Sequence, residues 1–375
     1  MTENSVASPI EAVQADLELC IQKVATGPEY SKDLSFEEAR AGMSLILSGR
    51  ADPVQAAVVL IALRMKRETT DENRGVMQAI IDTRLQVTSE AAEIVDLSDP
   101  YNGQIRGLPV VPFIAPVLSA CGIPAFCQGL EIVGPKYGIT LQNVLAAAKV
   151  NVDKNSTEVA RDLNNADIGW GYLDQKHYCP ALHDLVGLRN KMIKRTVITT
   201  LEVLTRPIAG KLKTHLITGY VHKAYPPVYA DLARFAGYDS AAIVRGVEGG
   251  LMPSLRQPAR FYCYRSGQED EFIDLDPATL GITEETRAIP LPNRLKSLED
   301  GDATAKENAI ATAARIGIAA LQNEKGIARN SIIYGAAISL FHLQKFETLA
   351  QAAEAADKAI SSGDAYDKFS ANLSA

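Results

Sequence analysis

Between Leu185 and Tyr225 the chain sets eight bases (Arg189, Lys191, Lys194, Arg195, Arg206, Lys211, Lys213 and Lys223) against one acid, Glu202. The segment carries +7, the whole chain −7, and the remainder therefore −14. Clustered cations hold anions, phosphates above all, so residues 185–225 are a candidate contact for nucleic acid. The same run also fits a solvated face. A second candidate is Tyr101-Asn102-Gly103, which follows a strand-like stretch, where open α/β sheets bind ligands. Asn-Gly is equally a turn dipeptide, since both residues tolerate positive φ. The histidines (His177, His183, His215, His222 and His342) form no HExxH and have no evident triad partner. The five cysteines are scattered and never spaced CxxC, which argues against a disulfide framework and a structural zinc site.

Elements that must position these residues are visible in the local pattern. Ser35-Phe36-Glu37-Glu38 reads as a capping box, followed by a helical apolar stripe and Gly49 just past the helix end. Asp52-Pro53 starts a helix whose stretch AAVVLIAL is apolar all round and is expected to be buried. Thr69-Thr70-Asp71-Glu72 opens another. From Glu93 the texture changes. Strand candidates are 94–97, 124–127, 216–221, 242–245 and 261–264, with 271–275 forming a hairpin around Ser266-Gly267-Gln268. Helices are expected at 140–150, 157–164, 180–191, 227–235 and from 304 to the end. Trp170 is expected to be a core or hinge residue. The alternation implies βαβ units and a largely parallel sheet.

The fold class is therefore α/β: a small N-terminal helical bundle plus a larger α/β domain with a mostly parallel central sheet flanked by helices. The expected division is an extension at 1–30, a helical domain at 31–90 with a later contribution from about 165–195, and an α/β domain at 91–375. Hydrophobic residues at 47% and charged residues at 22% exclude a disordered chain. The longest apolar run is far short of the roughly 20 residues a membrane helix needs, so no membrane partner is expected. The opening residues lack the apolar core of a secretory signal, and a cytoplasmic location is expected.

The opening LSFEEARAGMSLILSGRADPVQAAVVLIALRMKRET and the closing helices, with Ser362-Gly363-Asp364-Ala365 and Lys368, resemble the anthranilate phosphoribosyltransferase family over about residues 30–372. The resemblance implies the two-part fold, a homodimer through the helical domain, and an anionic small molecule as ligand. It also implies a pentosyltransferase, with magnesium needed if phosphoribosyl pyrophosphate is bound. The family's glycine-rich donor loop, G-T-G-G-D-G, is replaced by Ser98-Asp99-Pro100-Tyr101-Asn102-Gly103-Gln104-Ile105-Arg106. One glycine remains, and Arg106 would supply charge by its side chain. K-H-G-N-R becomes Cys127-Gln128-Gly129-Leu130-Glu131, and Gly134-Pro135-Lys136-Tyr137-Gly138 keeps the basic group and turn of S-S-[KR]-S-G. The magnesium pair is lost from Arg245-Gly246-Val247-Glu248-Gly249-Gly250-Leu251-Met252, leaving Glu248 as the single candidate. Arg189 and Arg195-Thr196 keep the spacing of R-x-x-L-G-I-R-T, whose arginine meets the acceptor's carboxylate.

The implied site is thus Tyr101, Asn102, Gly103, Arg106, Gln128, Gly129, Lys136, Gly138, Arg189 and Arg195. The first functional expectation is a transferase of altered substrate, because the donor and metal motifs are changed. The alternative is a non-catalytic nucleic-acid-binding dimer on the same fold. Tyr-Asn-Gly-x-x-Arg resembles a divergent branch of the family, one member of which is regarded as a DNA or RNA binder.

Overall fold

The structure is a computed structural model that describes residues 9–27, 29–294, 298 and 302–373. Four helices open it: α1 (Pro9–Val24), α2 (Phe36–Leu47), α3 (Pro53–Lys66) and α4 (Thr70–Thr83). The expected caps are formed. Ser35 accepts from the Glu38 amide while the Glu38 carboxylate accepts from Ser35, and Thr69 and Glu72 repeat the arrangement. Asp52 caps α3 ahead of Pro53. One expectation for α3 is corrected. It buries a stripe of Ala56, Val59, Leu60 and Leu63, while Val54 and Met65 on the other side are 71% and 76% exposed. An apolar helix here keeps an uncovered side.

A seven-stranded sheet follows, built from β1 (Glu93–Ser98), β2 (Ala125–Gly129), β3 (Trp170–Asp174), β4 (Lys213–Tyr220), β5 (Ser240–Arg245), β6 (Ala259–Arg265) and β7 (Glu271–Leu275). The spatial order is β3-β2-β1-β4-β5-β6-β7. The first five strands run parallel; β6 and β7 are antiparallel and make the expected hairpin. β3 was not foreseen as a strand. Its sequence WGYLD is short, and Trp170 packs flat against Phe369 at 5.7 Å as a core residue. Both faces of the sheet are covered, so strand residues alternate between two cores. Val95, Leu97 and Ile217 join one core with the C-terminal helices. Ile94, Phe126 and Leu216 join the other, which continues into the helical bundle. No helix among the described residues is long and apolar enough to cross a membrane.

The chain runs β1, β2, β3 outward on one side, then returns to place β4 on the other side of β1. This reversal leaves a crevice beyond the C-terminal ends of β1 and β4, where the connecting loops diverge. Every loop expected to do chemistry after β1 or β5 therefore emerges near this switch point.

At the opposite end, a buried relay crosses four strands. Cys263 Sγ lies 3.3 Å from His342 Nδ1, and His342 Nε2 lies 2.9 Å from Ser240 Oγ. Ser240 Oγ is 2.7 Å from His215 Nδ1, and His215 Nε2 is 3.4 Å from Glu93. Burial holds both imidazoles below the usual histidine range, His342 most strongly. A depressed imidazole pKa means the unfolded chain binds more protons in acid. The stability contribution is thus complete above about pH 6.5 and is lost as pH falls below it. Thermal melting between pH 7.5 and 5.0 is expected to show a falling midpoint in the wild type and a shallower fall in His342→Gln. Equal slopes would contradict the neutral assignment.

Candidate functional site

The loop after β1 is shaped by backbone contacts before any side chain reaches a ligand. Pro100–Gly103 is a turn, closed by the Gly103 amide donating to Pro100 at 3.0 Å. Gly103 has φ of 72°, and a Cβ there would lie 2.6 Å from the backbone of Gly138 and Ile139. The two loops touch because both positions are glycine: Gly138 N donates to Asn102 at 2.9 Å, and Gln104 and Ile139 exchange bonds of 2.9 and 2.8 Å. Gly103 and Gly138 therefore serve loop packing.

Beneath this loop, Tyr101 points inward. Its hydroxyl donates to Gln128 Oε1 at 2.7 Å and lies 2.6 Å from the Tyr178 hydroxyl. Gln128 Nε2 donates to Asp96 at 2.6 Å, as does Tyr238 Oη. Tyr101 and Gln128 are buried, and Gly129 lies inside the sheet against Tyr172. These three expected ligand contacts are corrected to buried positions, Tyr101 and Gln128 in a hydrogen-bonded network and Gly129 packed beside it. Burial pushes the Asp96 carboxyl up to about 7, against the two donated hydrogen bonds. Asp99 is also buried, accepting from Leu251 N at 2.8 Å and Gln104 Nε2 at 3.1 Å, and burial pushes it up to about 6.

The amides of the loop after β1 are already taken. Glu248 accepts from Ile105 N at 3.2 Å and Arg106 N at 2.7 Å, and pairs with Lys136 Nζ at 2.8 Å. Lys136 also donates to Gly103 O at 3.1 Å. A carboxylate thus sits where two consecutive amides and an ammonium converge, the arrangement that elsewhere holds a phosphate. Glu248 reaches it from a left-handed backbone, φ 54° and ψ 14°. That conformation costs about 1–2 kcal/mol for a residue with a Cβ. Glu248 and Asp99 together stitch the loop after β1 to the loop after β5. The residues do not fit magnesium, which needs free carboxylate oxygens. Glu248's oxygens are engaged, and the described residues contain no cluster of three potential metal ligands.

Arg189 is corrected as well. It is buried and makes a two-pronged pair with Glu202, both bonds 2.7 Å, so its guanidinium is spent inside the protein. The basic segment is likewise not one patch. Lys211 pairs with Glu90, and Lys213 begins β4, whereas Lys223 follows its far end. Eight strand residues separate those ends by roughly 25 Å. Lys194, Arg195 and Lys223 remain exposed.

Two adjoining hollows open at the switch point. The narrower, of about 80 Å³, is lined by Arg195 and Asn102 of the expected set, together with Arg64 of α3 and Tyr220, Tyr225 and His222. The broader, of about 710 Å³, is lined by Arg106, Arg245, Arg256 and Arg287. Tyr220, Val221 and Glu248 belong to both walls. Arg64, Arg256 and Arg287 were missed in the sequence because they are 192 and 31 residues apart along the chain and belong to no shared motif. Their common signal was position, beside loops at the C-terminal edge of the parallel strands.

The chain matches known proteins in both of its parts. Residues 19–83 match the helical bundle domain of a glycosyl transferase family, and residues 109–366 match the α/β domain of a glycosyl transferase family. Anthranilate phosphoribosyltransferase of Thermomicrobium roseum is 28% identical over 355 residues, covering 93% of this chain and 94% of that protein. An uncharacterized Aquifex aeolicus protein is 28% identical over 267 residues, covering 71% and 78%. Among solved structures, Saccharomyces cerevisiae anthranilate phosphoribosyltransferase in complex with PRPP and Mg superposes with a TM-score of 0.74 at 18% identity, covering 96% of this chain and 97% of that one. The Thermus thermophilus enzyme gives 0.69 at 19%, covering 95% and 98%. With the fold shared end to end and both domain models matched, the chain belongs to the glycosyl transferase family that includes the anthranilate phosphoribosyltransferases.

Proposed function

We propose that this chain binds phosphate-bearing ligands through arginine side chains at the switch-point crevice, and does not transfer a phosphoribosyl group with magnesium's help. The observation that carries this reading is the occupation of the Ile105 and Arg106 amides and of Lys136 by Glu248. A pyrophosphate on the donor loop would have to expel that carboxylate. The cations lining the broad basin, Arg106, Arg245, Arg256 and Arg287, are instead side chains, and all four are exposed. Guanidinium groups suit phosphate through paired hydrogen bonds and stay charged at all working pH values.

A second reading takes a nucleic-acid strand as the ligand. It is supported by Lys194, Arg195 and Lys223, exposed on the same segment whose Arg195 lines the narrow hollow. Affinity for duplex DNA would then fall with salt at a slope near −0.9 per phosphate contacted. The uncovered apolar side of α3, Val54 to Met65, supports pairing of two copies through the helical domain.

Calorimetric titration with phosphoribosyl pyrophosphate and with inorganic tripolyphosphate, each with magnesium and with a chelator, tests the main reading. Both anions are expected to bind with affinities that change less than twofold on chelation, and added anthranilate is expected to yield no phosphoribosyl product. Tenfold tightening by magnesium, or turnover, would overturn it.

A further inference from the structure

The two hollows differ in chemistry yet share a wall, and that juxtaposition carries more than anion binding. The narrow hollow is aromatic. Tyr225 is half-buried, with His222 at 6.0 Å and Tyr229 at 6.1 Å between ring centroids, and the Arg64 guanidinium lies 5.3 Å from the Tyr225 ring. Such a surface takes a flat π-system, since stacking on aromatic and guanidinium planes is tolerant of the ring's identity. Asn102 lines the same hollow; the residue is 3% exposed, and its Oδ1 has no hydrogen-bond partner. A buried amide oxygen left unpaired costs free energy, which a ligand N–H would recover. An amide side chain also matches the donor and acceptor edge of a heterocyclic base.

The broad basin has the opposite character. Arg245, Arg256 and Arg287 line it and, among the described residues, form no ion pair with a carboxylate. With Arg106 and the Glu248 and Glu285 carboxylates on the same wall, the lining keeps a surplus of positive charge; its like charges repel, and a low-dielectric wall focuses their field outward. A ligand with several linked phosphates relieves that repulsion. Its space of about 710 Å³ lies within the ordinary size range of ligand sites. A group joining an aromatic ring in one hollow to phosphates in the other must pass Tyr220 and Glu248, which line both. A sugar is the neutral group that joins ring to phosphate in a nucleotide, and it needs no free charge from this shared wall.

We infer that the joined hollows form one site for a nucleotide, the base in the tyrosine-lined hollow and the phosphates among Arg245, Arg256 and Arg287. This inference rests on the phosphate-binding reading above and names its ligand class. A simple polyanion leaves the aromatic hollow and Asn102 unexplained. An uncharged aromatic ligand leaves the arginines unexplained. A free nucleotide and a nucleotide within a strand share this chemistry.

The test compares ATP and UTP with inorganic tripolyphosphate on the wild-type chain by calorimetry, with chelator present. At least one nucleotide is expected to bind tenfold or more tightly than tripolyphosphate. The double variant Arg256→Ala/Arg287→Ala is expected to weaken both ligands at least tenfold, both arginines being exposed. Tyr225→Leu is expected to bring the nucleotide to within about threefold of tripolyphosphate, leaving tripolyphosphate within twofold of its wild-type value. If both nucleotides bind no better than tripolyphosphate, the inference is overturned while phosphate binding stands. If none of the three binds, both readings fall. The wild-type comparison decides even if a variant misfolds. Displacement of bound nucleotide by a ten-residue oligothymidylate supports the inference with a strand as the source; retention of the nucleotide supports it with the free nucleotide as the source.

Discussion

The carboxylate of Glu248 is the contact on which the functional architecture turns. It satisfies the amides of Ile105 and Arg106 and the ammonium of Lys136, and so joins three loops that a parallel sheet delivers to its switch point. An ionised acceptor on backbone N–H groups makes bonds roughly twice as strong as neutral ones. That gain offsets the left-handed backbone at Glu248. The loop that replaces a glycine-rich phosphate cradle is in this way closed from within. Asp99, whose Oδ1 holds the Leu251 amide, fastens the same two loops a second time.

Cations that looked available in the sequence divide accordingly. Arg189 is locked to Glu202 and Lys136 to Glu248, so each stabilises the protein's own packing. Removing one partner of a buried pair such as Arg189–Glu202 typically costs about 3–5 kcal/mol, because the other charge is stranded. The arginines that line the broad basin lie elsewhere: Arg106 after β1, Arg245 at the end of β5, Arg256 beyond it and Arg287 beyond β7. On the proposed reading, the family's scaffold is kept and anion binding falls to side chains in place of backbone amides.

Much of the scaffold was legible in the sequence. Capping boxes at Ser35 and Thr69 and the Asp52-Pro53 start depend on neighbours within four residues, and they formed as read. Strand 271–275 showed itself because a Ser-Gly-Gln turn separates it from 261–264, although most of it is exposed. Trp170–Asp174 did not, since two of its five residues are Gly and Asp, and its pairing comes from a strand 45 residues away. The site was harder to read for the same reason. Net charge along 185–225 says nothing of where β4 carries each residue, and its ends lie at opposite edges of the sheet. Tyr101, beside an Asn-Gly turn, read as a ligand contact, yet its partner Gln128 lies 27 residues on. Glu248 was visible only as a surviving acid; that it fills the loop amides 142 and 143 residues earlier is a tertiary fact.

The most direct measurement is the response of the Ile105 and Arg106 backbone amide resonances to inorganic pyrophosphate, in the wild type and in Glu248→Ala. In the wild type these amides are expected to stay fixed at pyrophosphate concentrations that shift the Arg245 and Arg256 side-chain signals. In Glu248→Ala they are expected to move on titration. Wild-type amides that shift as readily as those of the variant would show the loop open to phosphate, and would contradict the account.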